Sequence, residues 1–185
     1  AAEEAGEKLH RVELLSLADF SDIVMPEETG ATFEENALIK ARAISTATGV
    51  AALADDSGLE VDSLGGRPGV FSARYAGVGA TDEENYRKLL AELKGVPDGE
   101  RTARFRCAVA FVAPDGVSAV FHGTLEGSIA QRPSGIGGFG YDPVFYIPSE
   151  AKTSAELSPE EKNRISHRAK ALAGFKAYLL AAVGR

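Results

Sequence analysis

Apolar residues recur along the chain at two spacings, one helical and one strand-like, and the spacing changes several times. Residues 22–30 are acidic and loop-like. Beyond them Ala37, Ala41, Ile44 and Thr48 fall on one helical face. Thr32 and Glu35 open that helix as a capping box, their oxygens taking free backbone N–H groups, and Gly49 stops it. A second box at Thr81 and Glu84 starts a helix carrying Tyr86, Leu89, Leu90 and Leu93 that ends at Gly95. A third helix starts at Ser158, with Pro159 at its first position and Glu161 at its third. Ala169, Leu172, Phe175 and Leu179 continue an apolar face beyond it. Between the helices lie strand patterns. Residues 12–17 read as a short strand, and residues 50–54 as another that ends in a turn at Asp55-Asp56-Ser57-Gly58. Thr102–Val112 alternates at first and then turns apolar on both parities, the pattern of a strand entering a covered sheet. Pro114-Asp115-Gly116 marks a turn, residues 117–125 return as the hairpin partner, and residues 144–147 form a further strand. Residues 1–9 read as a helix remnant. Alternating helices and strands predict an α/β or mixed α+β fold.

Composition narrows this picture. A chain of 185 residues makes one domain, or two lobes sharing a core, and buries a sizeable core without staples. Cys107, the single cysteine, excludes an internal disulfide and sits in an apolar run where it packs as a small hydrophobe. The net charge of −7 argues against nucleic acid as a partner. It does not argue against a nucleotide, because a divalent cation offsets charge locally. No apolar run approaches the roughly 20 residues that span a bilayer, and the N-terminal residues lack a signal-peptide core. The expectation is a cytoplasmic protein without a membrane partner.

Four segments carry candidate chemistry. Asp55-Asp56-Ser57-Gly58 places adjacent carboxylates after an apolar strand, a set suited to a hard cation such as Mg²⁺ and equally to a plain polar turn. Because neighbours on a strand face opposite ways, only one of the pair need face a site unless the turn re-aims them. Glu27-Glu28 precede the first capped helix, and Lys40 lies two turns into it. Metal and phosphate roles compete there with a helix-dipole effect and a solvated lysine. The stretch from Gly135 to Pro143 holds Phe139 among four glycines, which lets backbone approach a ligand and presents a ring for stacking. Asp142 there is a candidate acceptor for base N–H groups. Lys162, His167 and Arg168 offer phosphate or carbonyl partners. Lys162 and His167 stand about 140° apart on an unbroken helix, so they converge only if the helix breaks near Ser166, itself a serviceable second N-cap. The alternative is a charged, solvated helix face.

Taken in order, ETGATFEENALIKA, LADDSGLEVDSLGGRPGVFSARYAG, GGFGYDPVF and AELSPEEKNRISHRAKAL resemble the inosine triphosphate pyrophosphatase family, from about Leu14 to Leu180. The resemblance implies a long, twisted mixed sheet flanked by helices, two lobes with a central cleft, a single domain over residues 1–185, and a homodimer. It implies Mg²⁺-dependent hydrolysis of non-canonical purine nucleoside triphosphates between the α- and β-phosphates. It assigns Asp56 as metal carboxylate and proton acceptor, Glu28 as a second metal carboxylate for which Glu27 competes, and Lys40 to the phosphates. Ser57 touches substrate. Phe139, Gly140, Tyr141 and Asp142 line the base and sugar pocket, with Phe139 the stacking ring. Lys162, His167 and Arg168 meet the base. Asp56, Phe139 and Arg168 are thereby expected around one cavity of nucleotide size. The family pattern opens with a strand and a Ser/Thr-x-Asn-x-x-Lys phosphate loop that have no counterpart here. The expectation is that the sequence omits the start of the natural chain. Two other readings stay open: a pyrophosphatase for other modified nucleotides, and a nucleotide binder without catalysis.

Overall fold

The computed structural model describes residues 12–20 and 23–183, so the reading of residues 1–9 lies outside it. Its frame is a five-stranded sheet in the order β1 (Ala52–Val61), β2 (Thr102–Val112), β3 (Ser118–Ile129), β4 (Phe145–Ile147) and β5 (Lys152–Thr153), every neighbouring pair antiparallel. Four α-helices accompany it: α1 (Phe33–Thr48), α2 (Asp82–Glu92), α3 (Pro159–Ile165) and α4 (His167–Val183). The class is the mixed α/β one that the alternating pattern predicts.

The two faces of β1 and β2 are covered by different helices. Even-numbered Ala108, Ala110 and Val112 meet Phe33, Ala37 and Ala41 of α1. Small residues on both sides bring that helix close to the sheet. Odd-numbered Cys107 and Val109 meet Ala171 of α4, with Phe121 of β3 packed against them. Further along the same odd face lies the main core, where Leu59, Val61, Ala103, Phe105 and Leu125 pack with Leu89 of α2, with its C-cap Leu93, and with Val144 and Phe145. Leu59, Leu89 and Leu93 are fully buried, each contributing on the order of 1.5–3 kcal/mol of transfer free energy. Arg101 is buried too. It donates to the carbonyls of Leu93, Ile129 and Ala130 at 2.7–3.0 Å, which joins the C-terminal end of α2 to the end of β3 and suits a cation at the negative pole of a helix.

Helix starts follow the capping residues. Thr81 and Ser158 make complete boxes with Glu84 and Glu161. At α1 Thr32 accepts from Glu35 N–H, while the Glu35 carboxylate reaches one residue further back, to Ala31 N–H at 2.6 Å. Gly49 closes α1 in a left-handed conformation.

Four expectations are corrected. Asp55-Asp56-Ser57-Gly58 is no turn but the middle of β1, because ten residues of pairing with β2 override the local turn preference of Asp, Ser and Gly. Residues 12–17 form no strand. They run irregularly into a short 3₁₀ turn at Leu17–Asp19 with no sheet partner, and Leu14 and Leu15 are exposed. The hairpin partner extends beyond residue 125 to Ile129. The buried face of α4 is rotated from the expected one. His167 and Ala171 are its buried residues, Leu172 is exposed, and Phe175 with Tyr178 packs on Phe111 and Phe121. Gly123 of β3 explains that setting, since a Cβ there would stand 1.9 Å from the His167 carbonyl oxygen. Only glycine lets the first turn of α4 lie directly on the strand.

Candidate functional site

A cavity of about 640 Å³ opens on the odd face of the sheet, between α4 and the core around α2. Its floor is Ser57, Gly58 and Phe105, and its walls include Phe139, Gly140, Tyr141, Asp142, Lys162, His167 and Arg168. These residues come from four separate segments, and local structure explains how each arrives.

The glycine-rich loop is a wound turn rather than a flexible tether. The Asp142 carboxylate accepts Phe139 N–H at 2.8 Å and also binds the Lys162 ammonium. Gly138, at φ 75°, leaves room for this, because a Cβ would lie 2.1 Å from that same carboxylate oxygen. Gly140 N–H donates to Asp82 at the start of α2 (2.6 Å), and the Tyr141 hydroxyl donates to Ser72 O (2.9 Å). Tyr141 and Asp142 are thus buried supports for the loop, whereas the Phe139 ring is 61% exposed at the mouth. Two cations flank that ring: Lys162 Nζ is 4.7 Å and the Arg168 guanidinium carbon 6.0 Å from its centroid. Asp142 Oδ2 is engaged by the loop and by Lys162.

The helix break at Ser166 that convergence requires is present. Ser166 takes an extended conformation (φ −63°, ψ 151°), ends α3, and accepts Ala169 N–H on its hydroxyl to begin α4. The break brings Lys162, His167 and Arg168 to one cavity wall. His167 is buried with its ring stacked on Phe105 (centroids 4.9 Å apart, planes 14° apart), and among the described residues its Nδ1 has no hydrogen-bond partner. Burial, reinforced by the charges of Arg168 and Lys162, pushes its pKa down to about 4. The imidazole is therefore neutral near pH 7, with one donor and one acceptor.

Asp56 lies elsewhere. It faces α1 on the even side of β1, and the cavity on the odd side does not include it. The expectation of one cavity shared by Asp56, Phe139 and Arg168 is thus corrected, for the reason that neighbouring strand side chains point oppositely. Around Asp56 is a second polar group. Lys40 Nζ binds Asp56 Oδ1 at 2.9 Å and Glu28 Oε1 at 3.0 Å, Asn36 donates to Asp56 Oδ2 at 3.2 Å, and Arg74 stands 3.5 Å from Glu28. Burial pushes the Asp56 carboxyl above the usual carboxylate range, and the Lys40 ammonium partly offsets that. Burial alone would lower the Lys40 pKa, but the two carboxylates outweigh it and hold the ammonium protonated. Among the described residues no cluster of three or more acidic, His or Cys side chains stands ready for a metal. Mg²⁺ asks for less, since one or two carboxylates with substrate phosphate and water suffice. Glu28 and Asp56, both in reach of one ammonium nitrogen, fit that donor set. Glu27, the competing carboxylate, makes no ion pair among the described residues.

Sequence reasoning passed over Asn36, Ser72, Arg74, Asp82 and Phe105. Asn36 carried a signal, standing one turn before Lys40 on the same face of α1. Ser72 and Arg74 carried none, because a 3₁₀ segment (Gly69–Arg74) positions them. Asp55, whose partner is Arg168 on the odd face, carried the strand alternation as its signal, which the turn reading concealed.

An open sheet gripped by a helix on each face, with an exposed ring between cations on one side of a strand and a carboxylate–ammonium cluster on the other, defines a mixed α/β protein shaped for a flat, anionic ligand. Residues 2–178 match the Ham1 family, and the chain belongs to it. Similar relatives include a dITP/XTP pyrophosphatase of Geobacillus kaustophilus, 60% identical over 161 residues that cover 87% of this chain and 79% of that one. A dITP/XTP pyrophosphatase of Geobacter sulfurreducens is 55% identical over 166 residues, covering 90% and 83%. Among solved structures, a HAM1 protein from Coxiella burnetii superposes with a TM-score of 0.82 at 49% identity, over 86% of this chain and 82% of its own.

Proposed function

We propose that the protein hydrolyses non-canonical purine nucleoside triphosphates, ITP, dITP and XTP, to the nucleoside monophosphate and pyrophosphate, with Mg²⁺ as cofactor. The observation that carries this reading is the cavity itself. It presents an exposed ring for stacking, two cations beside that ring, and a buried neutral histidine whose Nδ1 has no partner among the described residues, and its floor residue Ser57 is next along β1 to Asp56 of the carboxylate–lysine cluster. The printed activity of the relatives agrees with it.

In this reading the purine stacks on Phe139, a contact worth on the order of 1–3 kcal/mol. Arg168 and Lys162 are donor-only groups at pH 7. They suit the carbonyl that inosine and xanthosine carry at position 6 and oppose the amino group of adenine, because two facing donors leave both groups unpaired. On the other side of β1, Glu28 and Asp56 would hold Mg²⁺, which when bound offsets phosphate charge and polarises the phosphoryl oxygens. Lys40 neutralises phosphate charge as pyrophosphate departs. Asp56 orients the attacking water and accepts its proton. The same proposal takes residues 1–185 as one domain acting as a cytoplasmic homodimer, and light scattering in solution tests the dimer. Among the described residues no helix is long and apolar enough to cross a membrane.

Pyrophosphate release from ITP, dITP, XTP, ATP and GTP, with and without Mg²⁺, tests the reading. Release from the first three that depends on Mg²⁺ supports it. Binding of ITP without release would identify a non-catalytic binder, and preference for a modified pyrimidine nucleotide would move the substrate class.

A further inference from the structure

We propose that Asp55 is a positioning residue that aims Arg168 and so sets the selectivity for the base. This rests on the reading of Arg168 as a partner of the purine carbonyl. Asp55 and Asp56 are chain neighbours that serve opposite faces of β1, and only Asp55 faces the cavity side. Its Oδ2 accepts Arg168 Nε at 3.0 Å and Arg168 Nη2 at 2.8 Å, and also the Ser57 hydroxyl at 3.1 Å. A guanidinium has five N–H donors in a rigid fork. Asp55 takes one on Nε and one on Nη2, leaving both donors on Nη1 and one on Nη2 for a ligand, in a plane fixed by the grip. The side chains of Arg168 and Asp55 are 40% and 36% exposed, so the pair is reachable by ligand. A long side chain this exposed keeps many rotamers unless something holds it. Asp55 sits in a ten-residue strand paired throughout with β2, which makes it a rigid mount. The same carboxylate oxygen orders Ser57 in the cavity floor, so one group fixes a floor residue and a wall residue from separate segments.

The test is a double-mutant cycle on the full chain, read as kcat/KM for ITP and for ATP, with thermal melts as the folding control. Asp55→Asn keeps size and removes charge. It should lower kcat/KM for ITP on the order of tenfold, the scale of one charge-assisted contact losing its geometry. With ATP the value should stay within about twofold. In an Arg168→Ala background the same substitution should add nothing. Equal losses on both nucleotides, or a full loss on ITP persisting beside Arg168→Ala, would overturn the positioning role. Should Asp55→Asn not fold, Arg168→Lys takes its place. Lysine keeps the charge but lacks the fork, so selectivity should fall by about the same factor, and unchanged selectivity overturns the proposal. A parent protein that treats ITP and ATP alike refutes the reading of the site and this role with it. A selective parent with additive substitutions refutes this role alone.

Discussion

Gly123→Ala should disturb the cavity although Gly123 itself does not line it. The added Cβ would stand 1.9 Å from the His167 carbonyl oxygen and 2.7 Å from Ala171 N, both backbone atoms of α4. Non-bonded carbon contacts relax to roughly 3.5 Å, so the first turn of α4 must retreat by about 1.5 Å. Overpacking of this kind costs about 1–3 kcal/mol, which for a chain of this size lowers Tm by roughly 2–12 °C. His167 and Arg168 occupy that turn, so the displacement also reaches the base-facing wall. A misplacement near 1 Å costs up to about a hundredfold in rate, and the loss should appear in kcat/KM for ITP. The control lies in the same helix. At Gly174 a Cβ would meet Phe121 Cδ1 at 3.4 Å, an ordinary contact, and Gly174→Ala should raise stability by up to about 1 kcal/mol through helix propensity. Melting curves and ITP kinetics on the two variants decide the matter. Were Gly123→Ala to melt with the parent and turn over ITP normally, the account of how α4 is seated would be refuted.

Two further outcomes follow from the site. Asp56→Asn should abolish pyrophosphate release from ITP while the base cavity, on the other face of β1, keeps its nucleotide affinity within a few-fold; calorimetric titration with inosine monophosphate measures the second half, and a parallel loss of both would contradict the separation. His167 gives a pH dependence with a definite sign. Its folded-state pKa, near 4, lies below the ordinary imidazole value of 6.5, so between those values the unfolded chain binds the proton and the folded one does not. The stability held by the neutral ring is complete above about pH 6.5 and is lost as pH falls toward 4, by on the order of 2–3 kcal/mol. His167→Gln should flatten the fall in Tm over that window, and an unchanged acid limb would exclude His167 as its source.

The helix starts were legible because capping is local. Thr32, Thr81 and Ser158 each bond within four residues, and no tertiary partner is needed to read them. The break at Ser166 was legible for the same reason, and with it the convergence of Lys162, His167 and Arg168. The bounds of β2 were legible because both faces of its second half are covered, which shows as apolar residues on both parities. What the chain concealed was non-local. Asp55 to Gly58 has turn composition, and only pairing with β2 makes it strand. The two-residue β5 has no pattern to find. The orientation of α4 depends on a missing side chain at Gly123, a residue that looks unremarkable within its own strand.

The alternation along β1 carries one more consequence. Sliding this strand a single position against β2 would hand Asp55 to Lys40 and Asp56 to Arg168, exchanging the acids of the cavity side and the Lys40 cluster with no change of sequence. Hydrophobic positions that lock the register, the alanines under α1 among them, therefore act as wiring for chemistry they never touch. A deletion between Gly49 and Asp55 should inactivate the protein as surely as losing a charged group.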